Sequence, residues 1–231
     1  MRTFLIAVSA TLAFSAPAGA ATRNFGITSF TKVRVDGPFK VSLTTGVAPF
    51  ARATGSSAAL DRVAIEVQGD TLVVHPSTSS WGGFGGDSSG PVEISVGTHD
   101  LGSAWLNGAG MLHIDRVKGL AFALSVQGSG RAEIGSADTD QMNVGLAGSG
   151  SAKLSGKSKK LTAIIRGISA LDAADLAATD ATIGAEGAAT IDADVTDSAT
   201  VDASGPATIR FSGRPSCTLK VAGSTSVSGC R

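Results

Sequence analysis

From Gly108 onward the chain repeats one pattern of apolar and polar positions. Gly108-Ala109-Gly110-Met111-Leu112-His113-Ile114 is followed by Gly128-Ser129-Gly130-Arg131-Ala132-Glu133-Ile134 and by Gly148-Ser149-Gly150-Ser151-Ala152-Lys153-Leu154. Looser versions start at Gly167, Gly187, Gly205 and Gly223, so the steps between leading glycines are 20, 20, 19, 20, 18 and 18 residues. Four residues after each glycine stand Leu112, Ala132, Ala152, Leu171, Ile191, Ile209 and Val227. Two residues further on stand Ile114, Ile134, Leu154, Ala173, Ala193, Phe211 and Gly229. Between these apolar or small residues lie His113, Glu133, Lys153, Asp172, Asp192, Arg210 and Ser228, all polar. A period of two means strand, with one face inward and one outward. A second strand is predicted in each unit, at 120–126, 142–146, 161–165, 181–185, 199–203 and 218–222, with turn-forming Gly, Ser, Asp and Lys between the two.

One such unit cannot bury its apolar face, but a stack of them can, each strand pairing in parallel with its counterpart in the next unit. The predicted fold is therefore all-β, a β-helix with rungs of 18–20 residues over 108–231. Right-handed coiling is expected, because crossovers between parallel strands are overwhelmingly right-handed. Antiparallel hairpins in a sandwich are the competing arrangement, which the regular spacing disfavours. The leading glycines are expected at corners needing positive φ or close contact between coils. Residues 21–107 look strand-rich but not repetitive. Strands are predicted at 30–35, 39–43, 63–67, 72–74 and 92–96, with turns at Asp36-Gly37-Pro38 and Gln68-Gly69-Asp70. A Gly/Ser-rich stretch at 77–90, holding Trp81 and Phe84, reads as a mobile loop.

The start of the chain has a separate meaning. Arg2, an apolar run at 4–14 and Ala18-Gly19-Ala20 have the form of a signal peptide over residues 1–20. The run is too short to span a bilayer, and the absence of a Cys at the cleavage site argues against a lipid anchor. The mature chain, 21–231, is expected to form one domain in the periplasm or on the cell surface of a bacterium. The whole chain carries 19 basic and 19 acidic residues. Losing Arg2 leaves 18 against 19, a net charge of −1 with His neutral. Such a balance excludes a general nucleic-acid or anionic-membrane surface, which needs a basic field. The 30 glycines and the absence of tyrosine indicate a core of thin, closely stacked layers. Cys217 and Cys230 are expected to form a disulfide once exported.

Three segments carry a family resemblance: Val33-Arg34-Val35-Asp36-Gly37-Pro38-Phe39-Lys40-Val41-Ser42-Leu43, then Val67-Gln68-Gly69-Asp70-Thr71-Leu72-Val73-Val74, then the glycine-led rungs. In this order they resemble the head GIN domain family of auto-transporter adhesins, over nearly all of the mature chain. The resemblance implies a bacterial envelope protein with a β-helix-like fold and no established activity, so it supplies no catalytic residues. No ten-residue alternating strands follow the last rung, so an auto-transporter barrel is not expected within this chain.

Chemistry is sparse. The outward ladder His113, Glu133, Lys153, Asp172, Asp192, Arg210 largely neutralises itself and is expected to be a solvated face. Asp172 and Asp192 form its one like-charged step. They could bind a cation or act as an acid–base pair on a polysaccharide, but one carboxylate pair supplies too few oxygens for calcium, and the Gly-Gly-x-Gly-x-Asp repeat of a calcium β-roll is absent. Trp81 and Phe84 are the ligand-contact candidates, because flanking glycines let their rings project. No catalytic residue, metal site or cofactor is implied. The functional expectation is a non-enzymatic, exported binding or structural module, with a glycan or an envelope protein as partner. A polysaccharide-active enzyme and a self-assembling structural element are the alternatives, the latter through an uncovered strand edge.

Overall fold

A computed structural model describes residues 20–77 and 90–231. Residues 1–19, which hold nearly all of the expected signal peptide, and the expected contact residues Trp81 and Phe84 lie outside the described residues. The strands in chain order are β1 (Ala21–Phe25), β2 (Lys32–Asp36), β3 (Lys40–Thr45), β4 (Phe50–Gly55), β5 (Val63–Gln68) and β6 (Thr71–Pro76). Then follow β7 (Glu93–Thr98), β8 (Ser103–Gly108), β9 (Met111–Ile114), β10 (Val117–Gly128), β11 (Arg131–Gly148) and β12 (Ser151–Gly167). The last five are β13 (Ala170–Glu186), β14 (Thr190–Ser204), β15 (Thr208–Phe211), β16 (Ser216–Ala222) and β17 (Ser226–Ser228). One helical turn, α1 (Ser57–Leu60), is capped by the Ser56 hydroxyl, which accepts from the Ala59 N–H. Strand accounts for 72% of the described residues and helix for 2%, in a β-solenoid of about 6 turns.

The register confirms the predicted repeat. Ala132 lies beside Ala152, Ala152 beside Leu171, Leu171 beside Ile191 and Ile191 beside Ile209, all buried. The segments expected to be turns differ from the prediction. In β11, burial runs Ala132 and Ile134, then Ala137 and Thr139, then Met142, Val144 and Leu146. Gly135-Ser136 and Asp140-Gln141 break the alternation between these groups, so each turn has three short sides rather than two. The middle side is strand in its own right, with Ala137 beside Gly156 and Thr139 beside Ser158. Its Gly, Ser, Asp and Lys content mimics a turn because its outward positions are charged and its inward ones small. The two buried hydroxyls bond each other at 3.3 Å, and Ser158 donates to the Lys160 carbonyl, which satisfies both inside the core.

Glycine at the head of each rung is explained twice over. Gly37, Gly108, Gly128, Gly148, Gly167, Gly187, Gly205 and Gly223 all have φ between 84° and 115°. They also stack: a Cβ on Gly148 would lie 2.7 Å from the Gly128 carbonyl oxygen, and one on Gly128 equally close to that of Gly108. A side chain is therefore excluded by both conformation and contact.

Gly37 belongs to this column, so the expectation that 21–107 lacks repetition is corrected. Strands β2 and β3, joined through the Gly37 corner, form a complete part-rung. β8 and β9 stack on one side of it, with Arg34 beside Trp105 and Lys40 beside Met111. β6 and β7 stack on the other, with Val33 beside Leu72 and Val41 beside Ile94. The chain builds outward from β3 to β7 and then steps over its own first rung to begin β8. Spatial neighbours in this region are thus not consecutive in sequence, which hides the period. The outer layer is antiparallel: β5 on β6, β4 on β7, and β1 on β4. β1, β4 and β8 are strands that the sequence reading did not identify.

Candidate functional site

Two outward surfaces can be compared for function. The first side of the rungs, running from each corner glycine, carries the charged ladder. Glu133 stands between His113 and Lys153, Lys153 beside Asp172, Asp172 beside Asp192, and Asp192 beside Arg210. The pairing differs in detail from a simple chain. Glu133 turns to His113 Nδ1 at 3.8 Å, whereas Lys153 Nζ turns to Asp172 at 3.5 Å and Asp175 at 3.1 Å. The Asp175 carboxylate, foremost, and that of Asp172 hold the Lys153 ammonium above its usual pKa. Arg210 bonds Asp192 at 3.2 Å. Each member of the like-charged pair is thus taken by a cation on its far side, and both carboxylates are roughly half exposed. Among the described residues no group of three His, Cys, Asp or Glu side chains is placed to hold a metal ion.

The third side, running into each corner glycine, is different. Trp105, Ser125, Gly145 and Ile164 each precede a corner glycine by three residues, so strict register brings them into one outward row. Two large residues stand three rungs apart with two small ones between, and the result is a shallow groove of about 220 Å³. Ala123, Asn143 and Thr162 complete its lining with the neighbouring backbone, and no lining residue is charged. This groove was not anticipated. The three-before-glycine spacing was present in the sequence, but only strand pairing shows that a glycine and a serine there make a hollow. The loop aromatics Trp81 and Phe84, the predicted contacts, lie outside the described residues.

Cys217, at the start of β16, and Cys230, just after β17, are joined by a disulfide as expected. It ties the third side of one turn to the end of the first side of the next.

The head GIN domain model, described as "Putative auto-transporter adhesin, head GIN domain", matches residues 29–215. The chain belongs to this family. The match begins at Ser29, just ahead of the Gly37 rung, and ends at Pro215, ahead of the disulfide-tied end of the solenoid. Solved structures share the head GIN fold at low identity. A putative adhesin from Bacteroides fragilis superposes with a TM-score of 0.79 at 18% identity, covering 91% of this chain and 97% of that one. A putative lipid binding protein from Parabacteroides distasonis gives 0.69 at 20% identity, covering 90% and 95%. A putative adhesin from Parabacteroides merdae gives 0.69 at 18%, with the same coverages. No curated protein matches the chain. The adhesin family and the disulfide together point to an extracytoplasmic protein. No helix among the described residues is long and apolar enough to cross a membrane.

Proposed function

We propose that this head GIN protein is an exported, non-enzymatic, adhesin-like binding module of the bacterial envelope. Its mature form is residues 21–231, facing the periplasm or the cell surface. The observation that carries the reading is the uncharged groove between Trp105 and Ile164, set on a surface where charges are otherwise largely paired. A concave, mostly apolar site with a few polar groups on a rigid sheet is the usual form of a binding site. The family's description as adhesins supports binding over chemistry. Glycoside hydrolysis uses a carboxylic acid kept protonated by its surroundings, and Asp172 and Asp192 are instead half exposed and bonded to cations. A glycan or an envelope protein is the expected partner.

The test is binding of the purified mature protein to a glycan array and to solubilised envelope protein, beside a sizing measurement. Trp105→Ala with Ile164→Ser should remove a binding signal that Asp192→Ala leaves intact. Binding that survives the double substitution, or that Asp192→Ala abolishes, would move the site off this side of the solenoid.

A further inference from the structure

We propose that the third-side groove takes one ring of an uncharged glycan, with Trp105 as the stacking platform and Ser125, Asn143 and Thr162 as its hydrogen-bonding groups. This deepens the binding reading above and rests on it. Four observations lead there, beginning with spacing. Trp105, Ser125, Gly145 and Ile164 occupy consecutive rungs, so the indole and the isoleucine stand about 14 Å apart along the sheet, at roughly 4.8 Å per strand. The two rungs between carry a hydroxymethyl group and a hydrogen, which leaves a ring-sized hollow with an aromatic wall at one end and an aliphatic wall at the other.

A second observation is charge. Arg34 bonds Asp36 at 2.9 Å and Arg166 bonds Glu186 at 3.2 Å outside the hollow, while Lys160 stands exposed at its rim, two residues before Thr162. The lining itself carries no charge, so its fit is to a neutral ligand.

Unused hydrogen-bonding capacity is a third. Among the described residues, the side chains of Ser125, Asn143 and Thr162 have no hydrogen-bond partner and stand free around the hollow. Together they present two hydroxyls and one amide, each able to donate and accept. A ligand carrying many hydroxyls matches that set, and an acyl chain would leave it unpaired. Finally, the apolar face of a pyranose suits the flat indole, which combines a large contact area with a donor N–H at its edge. One ring per site gives weak affinity, and repeated presentation on a polymer would raise it.

The experiment is calorimetric titration of the full mature chain with three neutral hexasaccharides, maltohexaose, cellohexaose and chitohexaose. Hexagalacturonate and phosphatidylcholine vesicles serve as acidic and lipid probes. At least one neutral hexasaccharide should bind. Trp105→Ala should weaken it about tenfold, and Ser125→Trp, which fills the hollow, at least as much. Asp192→Ala on the first side should leave affinity unchanged, and thermal melts of all variants should show that they fold. Failure of all three neutral sugars to bind at about 10 mM would overturn the proposal. Vesicle binding abolished by Trp105→Ala would overturn the sugar assignment while sustaining the groove as the binding site. Sugar binding insensitive to both groove variants would overturn the groove itself.

Discussion

Gly148 shows how much of this fold depends on a single missing atom. Its φ of 108° is costly for any L-side chain, and a Cβ would press to 2.7 Å on the Gly128 carbonyl oxygen. Gly148→Ala should therefore cost about 1–3 kcal/mol for the backbone alone, with further loss from the contact between coils. Ser149→Ala, one residue along on an exposed corner, should change stability little. Denaturant melts of the two variants check this, and equal losses would mean that the corner is not under conformational constraint. The same contrast of neighbours holds on the strand. Ile191 is fully buried beside Leu171 and Ile209, whereas Asp192 points out to Arg210. Ile191→Asp would bury a carboxylate without a partner and should prevent folding or cost several kcal/mol. Asp192→Ala removes one exposed ion pair and should be nearly neutral. Should Asp192→Ala prove the more damaging, the outward ladder would hold a site that its pairing does not reveal.

At the scale of the element, the last turn is the weakest. The inward positions Leu219 and Val221 of β16 are about half exposed, and β17 is three residues long. Packing contributes little there, so the disulfide between Cys217 and Cys230 is the main restraint on β16 and β17. Its loop of about 14 residues corresponds to roughly 3 kcal/mol in the chain-entropy description. Reduction should speed hydrogen exchange after Cys217 and leave β10–β13 unchanged. Exchange that quickens throughout the solenoid would show that the bridge supports the whole stack. The interior turns differ because each is sandwiched between neighbours on both of its edges.

For the whole molecule, stability should be broad and flat with pH. Lys40 holds the Glu93 carboxyl below its usual pKa, and Lys32 does the same for Asp70. Gln68, with His75 behind it, lowers Glu66. Depressed carboxyl values stabilise the fold above the ordinary carboxylate range, and that contribution is lost as pH falls through it. Lys153 is raised, so its contribution persists up to its ordinary range near 10.5 and is lost above. Melting temperature should thus be level between about pH 5 and pH 9 and decline gently on either side, gently because all four groups are exposed. A melting temperature that rises on acidification below about pH 5 would contradict the pairing of these carboxylates.

The repeat, the inward and outward faces, the glycine corners and the disulfide were legible in the sequence, because each depends on a local period or on a residue type with one strong physical preference. Val33-Arg34-Val35 and the Gly37 corner were equally regular, yet their place in the stack was not legible. Their partners Leu72 to Val74 and Ala104 to Leu106 are distant in sequence, and which strand lies on which is decided by packing rather than by local pattern. The middle side of each turn was hidden for another reason: small inward and charged outward residues look like a turn until stacking buries Ala137 and Thr139. The groove belongs to the tertiary structure entirely. Trp105, Ser125, Gly145 and Ile164 are twenty or so residues apart, and nothing in any one segment marks it as a hollow. Parallel pairing at one strand spacing sets large beside small, and the cavity is the difference between their side chains.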